Sequence, residues 1–164
     1  MKEYKLTTLC YLTKGEDILF IVKGATQKNL SNMNVGKYLG VGGHIEDGES
    51  SYECIVREIR EETGISAQSV KDLKLKGVAF FINDMCDNEI MYIYKGEYVS
   101  DVDPCPGTCD EGVLTWVNKS RIYDLPIWEG DREIFRLLFG RETGGTFEIK
   151  LTYHGDDLIS VETY

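Results

Sequence analysis

Residues 43–65 (GHIEDGESSYECIVREIREETGI) constrain the fold more than any other stretch of the chain. Ser50 and Glu53 have capping-box spacing, and Gly64 can take a left-handed C-cap, so a helix is predicted over residues 50–63 with both ends defined. Tyr52, Val56 and Ile59, at i, i+4 and i+7, form its expected apolar stripe. Glu58, Glu61 and Glu62 then fall at i, i+3 and i+4, sharing one face opposite that stripe. Like charges so spaced destabilise an isolated helix by roughly a few tenths of a kcal/mol per pair. A hard divalent cation with oxygen ligands is a group that offsets such repulsion, while a solvated surface is the plain alternative.

Strands are expected around this helix. Residues 4–13 and 17–22 are rich in Leu, Ile, Val, Thr and Tyr and flank Lys14-Gly15-Glu16, which reads as a hairpin. Residues 24–37 are polar and small, a loop of functional length, followed by a short strand at 38–41. Apolar runs at 73–82, 90–99 and 112–117 predict further strands. Residues 128–139 carry Ile134, Phe135, Leu137 and Leu138 at helical spacing before Gly140, and residues 146–153 and 158–163 close the chain as a hairpin. Two helices on a mixed sheet give an α+β class, an α/β/α sandwich, in a single domain over residues 1–164.

Eighteen Lys and Arg against 28 Asp and Glu leave a net charge of −10. That opposes the counterion release that drives binding to nucleic acid polymers, so no nucleic acid polymer is expected as a partner. No apolar run has the length of a signal peptide or a membrane span, so no membrane partner and a cytoplasmic location are expected. The five cysteines, Cys10, Cys54, Cys86, Cys105 and Cys109, lack zinc-site spacing and read as free thiols.

Gly43, Glu49, Arg57, Glu58, Ile59, Glu61, Glu62, Gly64 and Ile65 fill every fixed position of the pattern G-x5-E-x7-R-E-U-x-E-E-x-G-U, with U a bulky aliphatic residue. The segment thereby resembles the signature box of the Nudix hydrolases, whose loop-helix-loop unit and mixed-sheet sandwich agree with the elements above. The resemblance implies Mg²⁺, or Mn²⁺, held by Glu58 and Glu62 with Glu61 close by and a backbone carbonyl at or beside Gly43. It implies catalytic roles for Glu58 and Glu61, and an internal Glu49–Arg57 ion pair that fixes the loop on the helix. Glu111, in the CDEG run before the strand at 112–117, is expected to join both the metal cluster and the catalytic set; Lys23 would meet a terminal phosphate. The implied reaction is attack of metal-activated water on a bridging diphosphate.

Beyond the box, TTLCYL at 7–12, GKYLGVGGHIEDGE at 36–49, CDEGVLTWV at 109–117 and LPIWEGDR at 125–132 resemble the MutT-type oxidised-purine nucleoside triphosphate diphosphatases. That likeness assigns Trp128 to stacking on a purine and Asp131 to hydrogen bonding at its edge. Two departures weaken base selectivity: Glu129 and Gly130 do not supply a double acid next to the tryptophan, and Leu39 stands where an asparagine is used. ADP-ribose-type members carry a proline some way past the box, where this chain has Phe80 and Phe81. The expected activity is hydrolysis of an oxidised purine nucleoside triphosphate such as 8-oxo-dGTP, a small-molecule nucleotide, to the monophosphate and pyrophosphate. The alternatives are hydrolysis of another nucleoside diphosphate derivative and a non-catalytic nucleotide-sensing module.

Overall fold

A computed structural model describes residues 2–24, 33–104, 108–109, 112–140 and 144–164. Among these residues nine strands and two α-helices follow one another as β1 (Tyr4–Lys14), β2 (Asp17–Val22), β3 (Tyr38–Leu39), α1 (Ser51–Thr63), β4 (Val70–Asn83), β5 (Asn88–Tyr98), β6 (Thr108–Cys109), β7 (Gly112–Asn118), α2 (Glu129–Phe139), β8 (Phe147–His154) and β9 (Asp157–Thr163). The strands join in one open mixed sheet of order β6-β7-β2-β1-β5-β4-β8-β9, with β3 beside β2. The β1–β5 and β4–β8 pairs are parallel, the others antiparallel.

Strand alternation divides the core into two layers. Cys10 and Leu12 of β1, with Leu19 and Ile21 of β2, pack against Ile55 and Ile59 of α1. Tyr11, Ile18 and Phe20, one residue out of phase, pack against Ile134, Phe135 and Leu138 of α2. The helices therefore cover opposite faces of the sheet, which is the expected α/β/α sandwich. No helix among the described residues is long and apolar enough to cross a membrane.

The helix boundaries agree with their local signals. Ser50 accepts the Glu53 N–H while the Glu53 side chain accepts the Ser50 N–H, and Gly64 closes α1 at φ 71°. The apolar stripe, however, is displaced. Ile55 and Ile59 face the core, whereas Tyr52 is exposed and lies beside Tyr94. Ile59 belongs to both stripes, and Ile55 at i−4 and Tyr52 at i−7 both fit a helical period, so only the sheet decides which of them is covered.

Candidate active site

With Ile55 and Ile59 inward, the three glutamates do not share one solvent face. Glu62, three residues beyond Ile59, is only 8% exposed and accepts the Gly42 N–H at 2.9 Å. Glu58 is largely covered, and Glu61 points outward to Arg57. Glu58 and Glu62 line a cleft of about 660 Å³, together with Gly43, Lys23, Trp128 and Asp131. Glu61 does not line it. Glu111 lies outside the described residues, as do Asp110 and the side chains of Cys105 and Cys109.

Arg57 ties the loop to the helix. Its Nε and Nη2 donate to the two Glu49 oxygens at 2.7 and 2.9 Å, Nη2 also donates to the His44 carbonyl at 3.1 Å, and Nη1 donates to Glu58 at 2.8 Å and Glu61 at 3.2 Å. The hydrogen bonds from Arg57 hold the Glu49 carboxyl down at about 2, and the same bonds raise the guanidinium above its ordinary value. The family resemblance implied the Glu49–Arg57 pair, but not the direct Arg57–Glu58 bond.

A Cβ on Gly43 would lie 2.3 Å from Glu58 Oε1, so a larger residue would push the carboxylate out of the place it holds. The Gly43 carbonyl accepts the Thr8 N–H at 2.8 Å. The Gly43 carbonyl is thus turned toward β1. Among the described residues no three His, Cys, Asp or Glu side chains gather as a metal-binding group. Two carboxylates and a carbonyl nevertheless suit Mg²⁺, which takes one or two carboxylates, keeps several waters and adds substrate phosphate. The donor chemistry and the close Gly43–Glu58 approach fit such a cation.

The apolar part of the cleft is made by Phe81 of β4, Met91 of β5, Leu151 and Tyr153 of β8, and Trp128. Trp128 precedes α2 as its N-cap and is fixed by long-range partners. Its Nε1–H donates to Asn34 Oδ1 at 2.7 Å, Lys37 Nζ sits 4.6 Å from the ring centroid, and Tyr153 stands edge-on at 5.7 Å and 89°. Asp131 is half-buried in the first turn of α2, where desolvation lifts its carboxyl to about 7 despite opposing effects of a backbone hydrogen bond at Trp128 and the charge of Lys37. Sequence reasoning singled out Trp128 and Asp131 but missed Asn34, Lys37 and Tyr153. The first two sit in the loop flagged by its length; Tyr153, inside an ordinary alternating strand, gave no local signal.

The geometry can therefore hold a cation and phosphate among carboxylates, Lys23 and backbone, and a flat ring against Trp128. A family model of the NUDIX domain matches residues 3–138. The Nudix hydrolase YvcI of Bacillus subtilis is 35% identical over 136 residues, covering 77% of this chain and 74% of that protein. An NAD-capped RNA hydrolase, NudC of Pseudomonas putida, is 25% identical over 131 residues, which span 77% of this chain and 40% of NudC. Among solved structures, a mutator MutT protein of Bacillus halodurans has a TM-score of 0.79 and 25% identity, with 97% of each chain covered. A bifunctional NMN adenylyltransferase/ADP ribose pyrophosphatase of Francisella tularensis, solved with AMP and a Mn ion, has a TM-score of 0.63 at 19% identity over 84% of this chain and 42% of that one, a likeness of fold.

Proposed function

Because this chain belongs to the Nudix hydrolase family, we propose that it hydrolyses purine nucleoside triphosphates, oxidised ones such as 8-oxo-dGTP foremost, to the monophosphate and pyrophosphate. The observation that carries this reading is one cleft shared by Glu58, Glu62 and Lys23 with Trp128 and Asp131. Phosphate chemistry and base recognition are thereby offered to the same ligand.

Glu58 and Glu62, with the carbonyl of Gly42 or Gly43, would hold Mg²⁺ or Mn²⁺. When bound, the cation supplies Lewis acidity toward phosphoryl oxygens and a water of lowered pKa. Glu62 also holds the Gly42 amide, so the same side chain shapes the loop and charges the site. Lys23 is assigned to a phosphate as a point charge. Glu111 is assigned to proton transfer or to a further metal position, and Glu61, which faces Arg57 outside the cleft, would serve there only once released from that ion pair. Trp128 stacks on the purine, held against rotation by Asn34 and Tyr153. Asp131 meets the base edge, where N7 is an acceptor in guanine and an N–H donor in 8-oxoguanine. The net reaction breaks the α–β anhydride, water supplying the oxygen gained by the nucleoside monophosphate and pyrophosphate leaving. This activity would clear damaged nucleotides from the cytoplasmic pool.

Turnover of a nucleotide panel with Mg²⁺, with products separated chromatographically, tests the reading. Monophosphate and pyrophosphate from an oxidised purine triphosphate, as best substrate, are expected. A nucleotide sugar or another diphosphate derivative as best substrate would replace the reading with the broader one, and binding without turnover would leave a nucleotide-sensing module.

A further inference from the structure

The hydroxyl of Tyr153 carries a donor that its packing leaves unused. Tyr153 lies on β8, beyond the 3–138 segment that matches the family model, and is only 3% exposed. Its ring packs against Phe81 at 5.0 Å and edge-on to Trp128, and its oxygen accepts the Gly130 N–H at 2.7 Å. A Cβ on Gly130 would stand 2.7 Å from both that oxygen and Leu151 Cδ1, so glycine is what brings the first turn of α2 onto the hydroxyl.

A phenolic hydroxyl carries one donor as well as its lone pairs. The Gly130 amide occupies the acceptor side and fixes the oxygen; among the described residues, no group accepts the Tyr153 O–H. Tyr153, Gly130 and Asp131 all line the cleft beside the apolar Phe81, Met91 and Leu151, and the Asp131 carboxyl, whose charge is felt at the phenol, is not hydrogen-bonded to it. Burial also pushes the phenol up to about 12, which keeps its proton in place at neutral pH.

We infer that Tyr153 is a specificity-determining residue whose fixed hydroxyl donates to a carbonyl or ring nitrogen on the edge of the bound purine. The inference rests on the purine triphosphate reading above and names a base contact within that site. A base lacking the acceptor would bury the O–H unpaired and be rejected for that reason.

A cycle between protein donor and substrate acceptor provides the test. kcat/KM is measured for the wild-type protein and Tyr153→Phe with dGTP, its 2-aminopurine analogue lacking the 6-carbonyl, and its 7-deaza analogue lacking N7. The wild type should lose about tenfold on one analogue. Tyr153→Phe should lose about as much on dGTP and show no further loss on that same analogue. Losses that simply multiply for both analogues, an equal loss on all three substrates, or no discrimination by the wild type overturns the inference and leaves Tyr153 a packing residue. A wild type inactive on every purine triphosphate overturns the underlying reading as well. Wild-type discrimination needs no variant, so a poorly folding Tyr153→Phe does not protect the idea.

Discussion

Arg57 grips Glu49 in a fork, Nε to Oε1 at 2.7 Å and Nη2 to Oε2 at 2.9 Å, joining the loop before α1 to the middle of that helix. Paired N–H donors on one carboxylate fix direction as well as distance. Glu49→Gln keeps one acceptor and loses the charge, while Arg57→Ala releases the loop, Glu58 and Glu61 together. Both should lower Tm and kcat, Arg57→Ala by more. Because the Glu49 carboxyl is depressed to about 2, its stabilisation is present above the ordinary value of 4.5 and is lost as pH falls toward 2. The Tm difference between wild type and Glu49→Gln should therefore be full at pH 7 and close between about pH 4.5 and 2. A constant difference across that range in a thermal-melt series would remove the ion pair as its cause.

Glu62 separates loop shape from metal charge. In Glu62→Gln the amide oxygen can still accept the Gly42 N–H, so Tm should hold. Losing a carboxylate from the phosphate site should cut kcat by about two powers of ten or more, and Glu58→Gln should do the same. EDTA should abolish turnover and Mg²⁺ or Mn²⁺ restore it. Full activity of the metal-stripped Glu62→Gln protein would exclude the assignment.

Asp131 carries a pH signature of the opposite sign. Its carboxyl is raised from 3.8 to about 7, so the folded state prefers the neutral acid and stability falls as pH rises through that interval. Asp131→Asn should match the wild type near pH 4 and exceed it by roughly 1–3 kcal/mol at pH 8 in denaturant titrations. The same substitution should alter the ratio of kcat/KM for 8-oxo-dGTP over dGTP. A fixed ratio would take Asp131 out of base reading.

Trp128→Ala should raise KM for dGTP and 8-oxo-dGTP alike, by the roughly 1–3 kcal/mol that base stacking on an aromatic side chain contributes. Asn34→Ala should raise KM less, since it frees the indole without removing it. Steady-state kinetics on both substrates check this, and a larger change in kcat than in KM would contradict a stacking role.

Tyr11 offers a test of the core. Among the described residues its hydroxyl is buried with no hydrogen-bond partner, while its ring packs edge-on to Phe135 at 4.8 Å. Tyr11→Phe keeps the ring and removes the unpaired group, and should stabilise the protein by about 1 kcal/mol in chemical denaturation. Destabilisation would mean that the hydroxyl is satisfied in solution.

What could be read in the amino-acid order was local. The capping box at Ser50 and Glu53, the stop at Gly64 and the alternation of each strand depend on neighbours within a turn or a pleat, where chain geometry leaves few options. Nothing local could choose Ile55 over Tyr52 as the buried side of α1, because both fit a helical period and only contact with β1 and β2 distinguishes them. That choice turned Glu62 into the cleft and Glu61 out to Arg57. The Trp128 wall of the cleft was settled at still longer range. The sheet order carries β8 beside β4, and the closures of Asn34 on Trp128 and Tyr153 on Gly130 join residues 94 and 23 positions apart. Such pairs arise from packing and hydrogen-bond satisfaction in the assembled core, so tertiary structure alone placed these polar groups along the cleft.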